Sequence, residues 1–150
     1  HRVLVVDDDA DVRGGMAKYL RAHGLDTSVA DSCRSGEAEF RARPADVILV
    51  DHVLPDGDSL AFLSAVRKID PRVPVIVITG FGTVDLAVRA LRQGAHDVLT
   101  KPLPMSAVLA SVRSALEARP PDLSARRDPS IGARILRYWR SLRSSVSTGR

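Results

Sequence analysis

The sequence predicts an α/β fold in which five parallel strands form one sheet with helices on both faces. Two observations predict it. Five short apolar runs alternate with five longer segments of helical period, and three of the runs are almost continuous Val, Ile and Leu. Such runs are typical of strands that are buried on both faces. Parallel strands need right-handed crossover connections, which place the intervening helices against the sheet. A chain of 150 residues is long enough for one well-buried domain of this kind.

The expected strands are short and evenly spaced. They cover residues 3–6, 27–30, 47–50, 75–78 and 97–99. The second run is the least apolar, so we expect it to lie near an edge of the sheet.

Between the strands, apolar residues recur at the three- and four-residue spacing of an amphipathic helix. The stripes are Val12, Met16 and Leu20; Leu60, Leu63 and Val66; Val84, Ala87, Val88 and Leu91; and Val108, Val112 and Leu116. Gly24 and Gly94 follow two of these helices as expected for helix ends, and Pro71 and Pro74 separate a helix from the next strand. We expect the domain to comprise residues 1–118 and to be followed by a Pro-rich linker.

Composition indicates a soluble globular protein. Hydrophobic residues make up 45% and charged residues 27% of the chain. No apolar stretch approaches the roughly 20 residues of a membrane span, and no signal-peptide pattern is evident. The lone Cys33 cannot form an internal disulfide, which favours a reducing, cytoplasmic location. Because His1 directly precedes a strand, we expect the chain to be part of a longer protein.

The net charge of +4 hides two different regions. Residues 119–150 hold eight arginines and two aspartates, a net charge of +6, so the first 118 residues carry −2. The sequence therefore predicts a mildly acidic domain with a basic tail.

Polar residues follow four of the expected strands at the point where each strand ends. They are Asp7, Asp8 and Asp9; Asp51; Thr79; and Thr100 with Lys101. In a doubly wound sheet, ligands bind outside the carboxyl ends of the strands, so these side chains are expected to meet. Clustered carboxylates favour a hard divalent cation such as Mg²⁺. A carboxylate, a cation, an ammonium and a hydroxyl fit the formation of an acyl phosphate.

At these residues the sequence resembles the receiver domains of bacterial two-component response regulators. The resemblance rests on Val5-Val6-Asp7-Asp8-Asp9, Asp51-His-Val-Leu-Pro-Asp, Ile78-Thr79-Gly80 and Lys101-Pro102, in matching order over about residues 2–118. It implies a flavodoxin-like (βα)5 sheet with the strand order 2-1-3-4-5.

The resemblance also implies a role for each matched residue. Asp51 would be the phosphoacceptor, assisted by Thr79 and Lys101. Asp8, Asp51 and the backbone carbonyl of Val53 would bind Mg²⁺ or Mn²⁺ directly, and Asp7 would complete the metal site through metal-bound water. A sensor histidine kinase would donate the phosphoryl group, and the chain would act as a signalling switch rather than as a metabolic enzyme.

Residues 79–97 are similar to receivers of the nitrogen-regulation type, which precede an ATPase and a DNA-binding domain in sigma-54-dependent activators. The same stretch also resembles regulators that have a single DNA-binding output domain. Both similarities predict transcriptional regulation through an output domain beyond residue 150, with a second copy of the chain and DNA as partners.

The sequence departs from the family pattern at two positions. Val98 stands where receivers commonly have a Tyr or Phe whose ring moves on phosphorylation, so an aromatic switch cannot operate there. Ser59 stands where many members have Gly, and we expect it to cap the following helix. Asp9 and Asp11 are expected to cap or charge the first turn of the first helix, and Asp56 and Asp58 to form a turn and a cap.

Two other kinds of protein were weighed against the switch. An aspartate-nucleophile phosphohydrolase usually places its nucleophile on the first strand in an Asp-x-Asp-x-Thr arrangement, whereas here that strand is followed by Asp-Asp-Asp-Ala-Asp-Val. A receiver-like module that is not phosphorylated would normally lack part of the acidic set, and all of it is present.

The basic tail has an amphipathic helical pattern from about residue 131. Its apolar face comprises Ile131, Ile135, Tyr138, Trp139, Leu142 and Val146, and its basic face Arg134, Arg137, Arg140 and Arg143. Three interpretations remain open: a linker helix between domains, a contact with nucleic-acid phosphates, and a helix on a membrane surface.

Overall fold

The computed structural model describes residues 1–118 together with Arg137 and Arg140. Its strands are β1 (Arg2–Val6), β2 (Asp26–Ala30), β3 (Val47–Asp51), β4 (Val53–Leu54), β5 (Gly57–Asp58), β6 (Val75–Thr79) and β7 (Asp97–Thr100). Five of them form a parallel sheet in the order β2-β1-β3-β6-β7, while β4 and β5 pair only with each other. Without that small hairpin the order is 2-1-3-4-5, so the predicted flavodoxin-like fold is confirmed. The position of β2 at an edge is confirmed as well.

Within residues 1–118, four helices connect the strands of the sheet and a fifth follows β7. They are α1 (Ala10–Ala22), α2 (Cys33–Ala42), α3 (Ser59–Ile69), α4 (Val84–Arg92) and α5 (Met105–Glu117). Side chains cap the first four, namely those of Asp9, Ser32, Asp58 and Thr83. Gly24 and Gly94 follow α1 and α4 with φ angles of 82° and 95°, a left-handed conformation that favours glycine. The predicted caps and helix ends are thus confirmed at Asp9, Gly24 and Gly94.

The core consists of two apolar layers, one on each face of the sheet. Alternate residues of β1, β3 and β6 pack against α2, α3 and α4 on one face, and the intervening residues pack against α1 and α5 on the other. This arrangement explains why the three central strands read as continuous apolar runs.

The predicted stripe of α4 is wrong at two positions. Val84 is 39% exposed and Val88 is only partly buried, whereas Leu86, Ala87, Ala90 and Leu91 are buried. Helical spacing allows either stripe, and the structure buries the one that includes the larger Leu86 side chain.

The outer edge of β2 is covered at one carbonyl. Asp26 donates its N–H to the carbonyl of His1, so the backbone N–H and C=O of Asp26 point towards β1. The backbone groups of the next residue, Thr27, therefore point away from the sheet. Nε and Nη2 of Arg21 donate to the Thr27 carbonyl at 3.2 and 2.6 Å.

Within the described part of the chain, no helix has the length and apolarity needed to cross a membrane. The predicted linker and tail fall outside the described residues, apart from Arg137 and Arg140, which are helical and exposed. The boundary near residue 118 and the three interpretations of the tail stay predictions.

Candidate functional site

The candidate site lies where four neighbouring strands of the sheet end. Asp7 follows β1, Asp51 is the last residue of β3, Thr79 is the last residue of β6, and Lys101 follows β7. Because all four strands are parallel, their carboxyl ends lie at one edge, and the fold brings the predicted side chains to that edge.

Three carboxylates form an acidic cluster at this edge. One oxygen each of Asp7, Asp8 and Asp51 lies within 4.8 Å of the others. Asp7 is buried, Asp51 is half-buried and Asp8 is exposed, so the cluster is open to solvent on the Asp8 side. Several carboxylate oxygens with solvent access on one side are the ligand set that suits a hard divalent cation which keeps part of its water shell. The residues present therefore fit such an ion.

Lys101 provides the positive charge of the cluster. Its Nζ donates to Oδ1 of Asp51 at 3.0 Å and lies 3.7 Å from Oδ2 of Asp7. Partial burial acts to lower the pKa of Lys101, but the hydrogen bond to Asp51 and the charges of Asp51 and Asp7 outweigh it and raise that pKa. The backbone N–H of Lys101 donates to the Thr79 carbonyl at 2.8 Å, and the peptide bond from Lys101 to Pro102 is cis.

Asp7 is the most buried member of the cluster, at 4% exposure. Burial raises its pKa, and the negative charges of Asp51 and Asp8 act in the same direction, against the backbone N–H of Asp9 and the charge of Lys101. That N–H donates to Oδ1 of Asp7 at 2.9 Å, and Arg13 donates to the Asp7 carbonyl at 2.8 Å. The turn between β1 and α1 is therefore held through two groups of Asp7, its side-chain carboxylate and its backbone carbonyl.

Thr79 is buried at the end of β6, and its Oγ1 accepts a hydrogen bond from the backbone N–H of Phe81 at 3.0 Å. A hydroxyl that accepts in this way still has its own proton to donate. Phe81 itself is 81% exposed, so Thr79 connects the site to an exposed loop that precedes α4.

The loop after Asp51 contains features that the sequence did not reveal. Val53–Leu54 and Gly57–Asp58 form an antiparallel hairpin between Asp51 and α3. The expectation that Ser59 caps α3 is wrong, because Asp58 is the cap and accepts from the N–H of Ala61 at 2.8 Å. The Ser59 hydroxyl instead lies 2.7 Å from Nδ1 of His52. The cap predicted at Asp58 is therefore confirmed.

Asp56 lies in the turn of the hairpin, as predicted, and it also makes a contact that was not predicted. Its two carboxylate oxygens accept from the backbone N–H groups of Cys33 and Arg34, at 2.8 and 2.9 Å, at the start of α2. The hydrogen bonds from Arg34 and Cys33 lower the pKa of Asp56. The hairpin tip is thereby attached to a helix more than 20 residues away in sequence, which local patterns cannot indicate.

Val98, at the position where receivers commonly carry an aromatic ring, is 3% exposed and belongs to the apolar layer that includes α4. A valine here packs in the core and has no aromatic ring that could move on phosphorylation.

Comparison with known proteins agrees with these features. A family model described as "Response regulator receiver domain" matches residues 3–113. The C4-dicarboxylate transport transcriptional regulatory protein DctD of Pseudomonas aeruginosa is 40% identical over 119 residues, which are 79% of this chain and 26% of that protein. The response regulator protein PilR of the same species is 35% identical over 121 residues, 81% of this chain and 27% of the relative. The chain thus spans about a quarter of the length of these two relatives.

Among solved structures, the beryllofluoride-activated NtrC4 receiver domain dimer is similar with a TM-score of 0.75 and 34% identity, covering 79% of this chain and 98% of that one. NtrX from Brucella abortus in complex with ADP is similar with a TM-score of 0.74 and 33% identity, covering 79% of this chain and 27% of that one.

Proposed function

The chain belongs to the response regulator receiver domain family, and from that membership we propose that Asp51 accepts a phosphoryl group from a sensor histidine kinase. The single observation that carries the proposal is the 3.0 Å contact between Lys101 Nζ and Asp51 Oδ1 beside the carboxylates of Asp7 and Asp8. It combines a half-buried nucleophile with a fixed positive charge and with ligands for a cation.

In the proposed reaction, a carboxylate oxygen of Asp51 forms a bond to phosphorus while the bond from phosphorus to the donor nitrogen breaks. Lys101 pairs with the negative charge of the added group, and Thr79 donates its hydroxyl proton to a phosphoryl oxygen. These two side chains lie on the neighbouring strand ends, which supports their roles.

We further propose that Asp7, Asp8, Asp51 and the backbone carbonyl of Val53 hold Mg²⁺, or Mn²⁺ in its place. The bound ion supplies positive charge that offsets the repulsion between the carboxylates and an incoming phosphoryl group. The cluster geometry supports this assignment, because three oxygens already converge within 4.8 Å.

Relatives of this chain such as DctD and ZraR are transcriptional regulatory proteins, and we propose that its output is also transcriptional. On this proposal DNA is contacted by an output domain outside these 150 residues or by the basic tail, and the receiver forms a homodimer. We also propose that the signal reaches α4 through Thr79 and the 80–83 loop without an aromatic ring. A cytoplasmic location stays a prediction.

An aspartate-nucleophile phosphohydrolase remains the alternative to this function. The position of Asp51 at the end of the third strand of the sheet, rather than the first, argues against it.

Mass spectrometry of the intact chain after incubation with acetyl phosphate and Mg²⁺ tests the proposal. We expect the parent to gain one phosphoryl group and Asp51→Asn to gain none. Asp9→Asn is the matched control, because Asn also caps helices and Asp9 lies outside the cluster; it should be labelled like the parent. Labelling of Asp51→Asn at the rate of the parent would place the acceptor elsewhere.

A further inference from the structure

The loop that follows Asp51 is closed at its base by a pair of residues, His52 and Ser59. The backbone N–H of Ser59 donates to the carbonyl of His52 at 2.9 Å, and Nδ1 of His52 lies 2.7 Å from the Ser59 hydroxyl. The N–H of His52 donates to the carbonyl of Ile78 at 2.8 Å. His52 is therefore held through its N–H, its carbonyl and its side chain.

The contact between the side chains of His52 and Ser59 is shielded from solvent. Ser59 is 0% exposed and His52 is half-buried. A buried hydroxyl that loses its hydrogen-bond partner cannot replace it with water, so the contact between the two side chains is favoured over an open loop. A glycine at position 59 would have no hydroxyl with which to form it.

Val53 is the first residue of the hairpin and directly follows this closed base. It pairs with Asp58 across β4 and β5, and the next residue, Leu54, is 5% exposed in the core. The backbone on both sides of the Val53 carbonyl is thus fixed, on one side by His52 and on the other by the hairpin.

We propose that His52 and Ser59 are positioning residues that hold the Val53 carbonyl in place for a divalent cation. The inference rests on the proposed function, because that function assigns the carbonyl to the cation. Partners that orient metal ligands typically change metal affinity about 10- to 100-fold when they are removed. A backbone carbonyl is one ligand of several, so we expect a loss of about tenfold, at the lower end of that range.

The test is a titration of the apo protein with MgCl₂, followed by isothermal calorimetry or by amide chemical shifts. His52→Leu and Ser59→Ala should each weaken Mg²⁺ binding about tenfold. The double variant should bind Mg²⁺ about as tightly as the single variant with the lower affinity, because the two side chains form one contact. His52→Asn should bind within about twofold of the parent, because an Asn amide occupies the position of Nδ1 and can still bond the hydroxyl.

Val112→Ala controls for a general loss of stability. It removes apolar volume at a fully buried position of α5, on the other face of the sheet, and should leave Mg²⁺ affinity unchanged. Unchanged affinity in both His52→Leu and Ser59→Ala would overturn the proposal, as would an additive double variant. If His52→Leu does not fold, the Mg²⁺ affinity of Ser59→Ala, which removes only one oxygen atom, tests the proposal alone. Failure of the parent to bind Mg²⁺ or to be labelled by acetyl phosphate would refute the proposed function itself.

Discussion

Replacement of Asp7 by Asn should stabilise the folded domain in the absence of divalent cations. Asp7 is the cluster carboxylate with the least solvent exposure, and burial raises its pKa. A folded-state pKa above the ordinary value means that the ionised carboxylate is less stable in the folded protein than in the unfolded chain. Asn removes the charge, and its side-chain oxygen can still accept the N–H of Asp9.

The magnitude follows from terms that partly cancel. At an effective dielectric constant of about 20, repulsion from Asp51, which lies within 4.8 Å, costs at least about 3.5 kcal/mol, and attraction to Lys101 at 3.7 Å contributes about 4.5 kcal/mol. Asp8 is exposed, so its repulsion is largely screened. The charge terms nearly offset each other, and the cost of burying an ionised group decides the sign. We expect Asp7→Asn to raise the free energy of unfolding at pH 7 by about 1–3 kcal/mol.

Urea unfolding monitored by circular dichroism in EDTA measures this difference, with Asp9→Asn as a control that should change it by less than about 0.5 kcal/mol. As the pH falls through the raised pKa of Asp7 towards its ordinary value of 3.8, the folded parent takes up a proton that the unfolded chain does not. The advantage of the variant should therefore shrink as the pH falls and vanish below 3.8. A variant that is less stable than the parent at pH 7 without cations, yet normally folded, would refute this reasoning.

Three further predictions concern the packing at Gly36, the reactivity of Cys33 and the cap of α3. Gly36→Ala should destabilise by about 1–3 kcal/mol, because its Cβ would lie 2.9 Å from Cε2 of Phe62. Gly14→Ala, whose Cβ meets nothing within 4 Å, should stabilise by about 1 kcal/mol; equal effects in urea unfolding would contradict the packing at Gly36. Burial and the nearby carboxylates raise the pKa of Cys33 to about 11, so iodoacetamide at pH 8 should alkylate the folded protein at least tenfold more slowly than the urea-unfolded protein, and comparable rates would exclude this environment. Asp58→Ala should lose about 1 kcal/mol of stability and Asp58→Asn almost none, since Asn also caps; similar losses in the two variants would mean that Asp58 does not act through its cap.

The strands and the location of the site could be predicted because their signals are local. A strand buried on both faces requires a continuous apolar run, and β1, β3 and β6 show one. Once the strands are placed and known to be parallel, the residues that follow them must lie at one edge. The convergence of Asp7, Asp51 and Lys101 therefore follows from the order of the elements along the chain.

The loop after Asp51 could not be predicted in the same way. Two-residue strands are too short to show a period, so the hairpin of β4 and β5 leaves no pattern. The contact of Asp56 with the start of α2 joins parts of the chain 22–23 residues apart, and it depends on how α2 packs beside α3. The buried face of α4 was ambiguous for a different reason, because two apolar stripes share the same helix.

The guanidinium of Arg21 on the outer carbonyl of β2 has a consequence for self-association. An unpaired strand edge is a template on which a strand of another molecule can pair, and such pairing is a common route to aggregates. A strand that approached β2 would have to displace two hydrogen bonds from Arg21 to the Thr27 carbonyl before it could use that acceptor. We infer that Arg21 opposes intermolecular β-pairing at this one acceptor of the β2 edge.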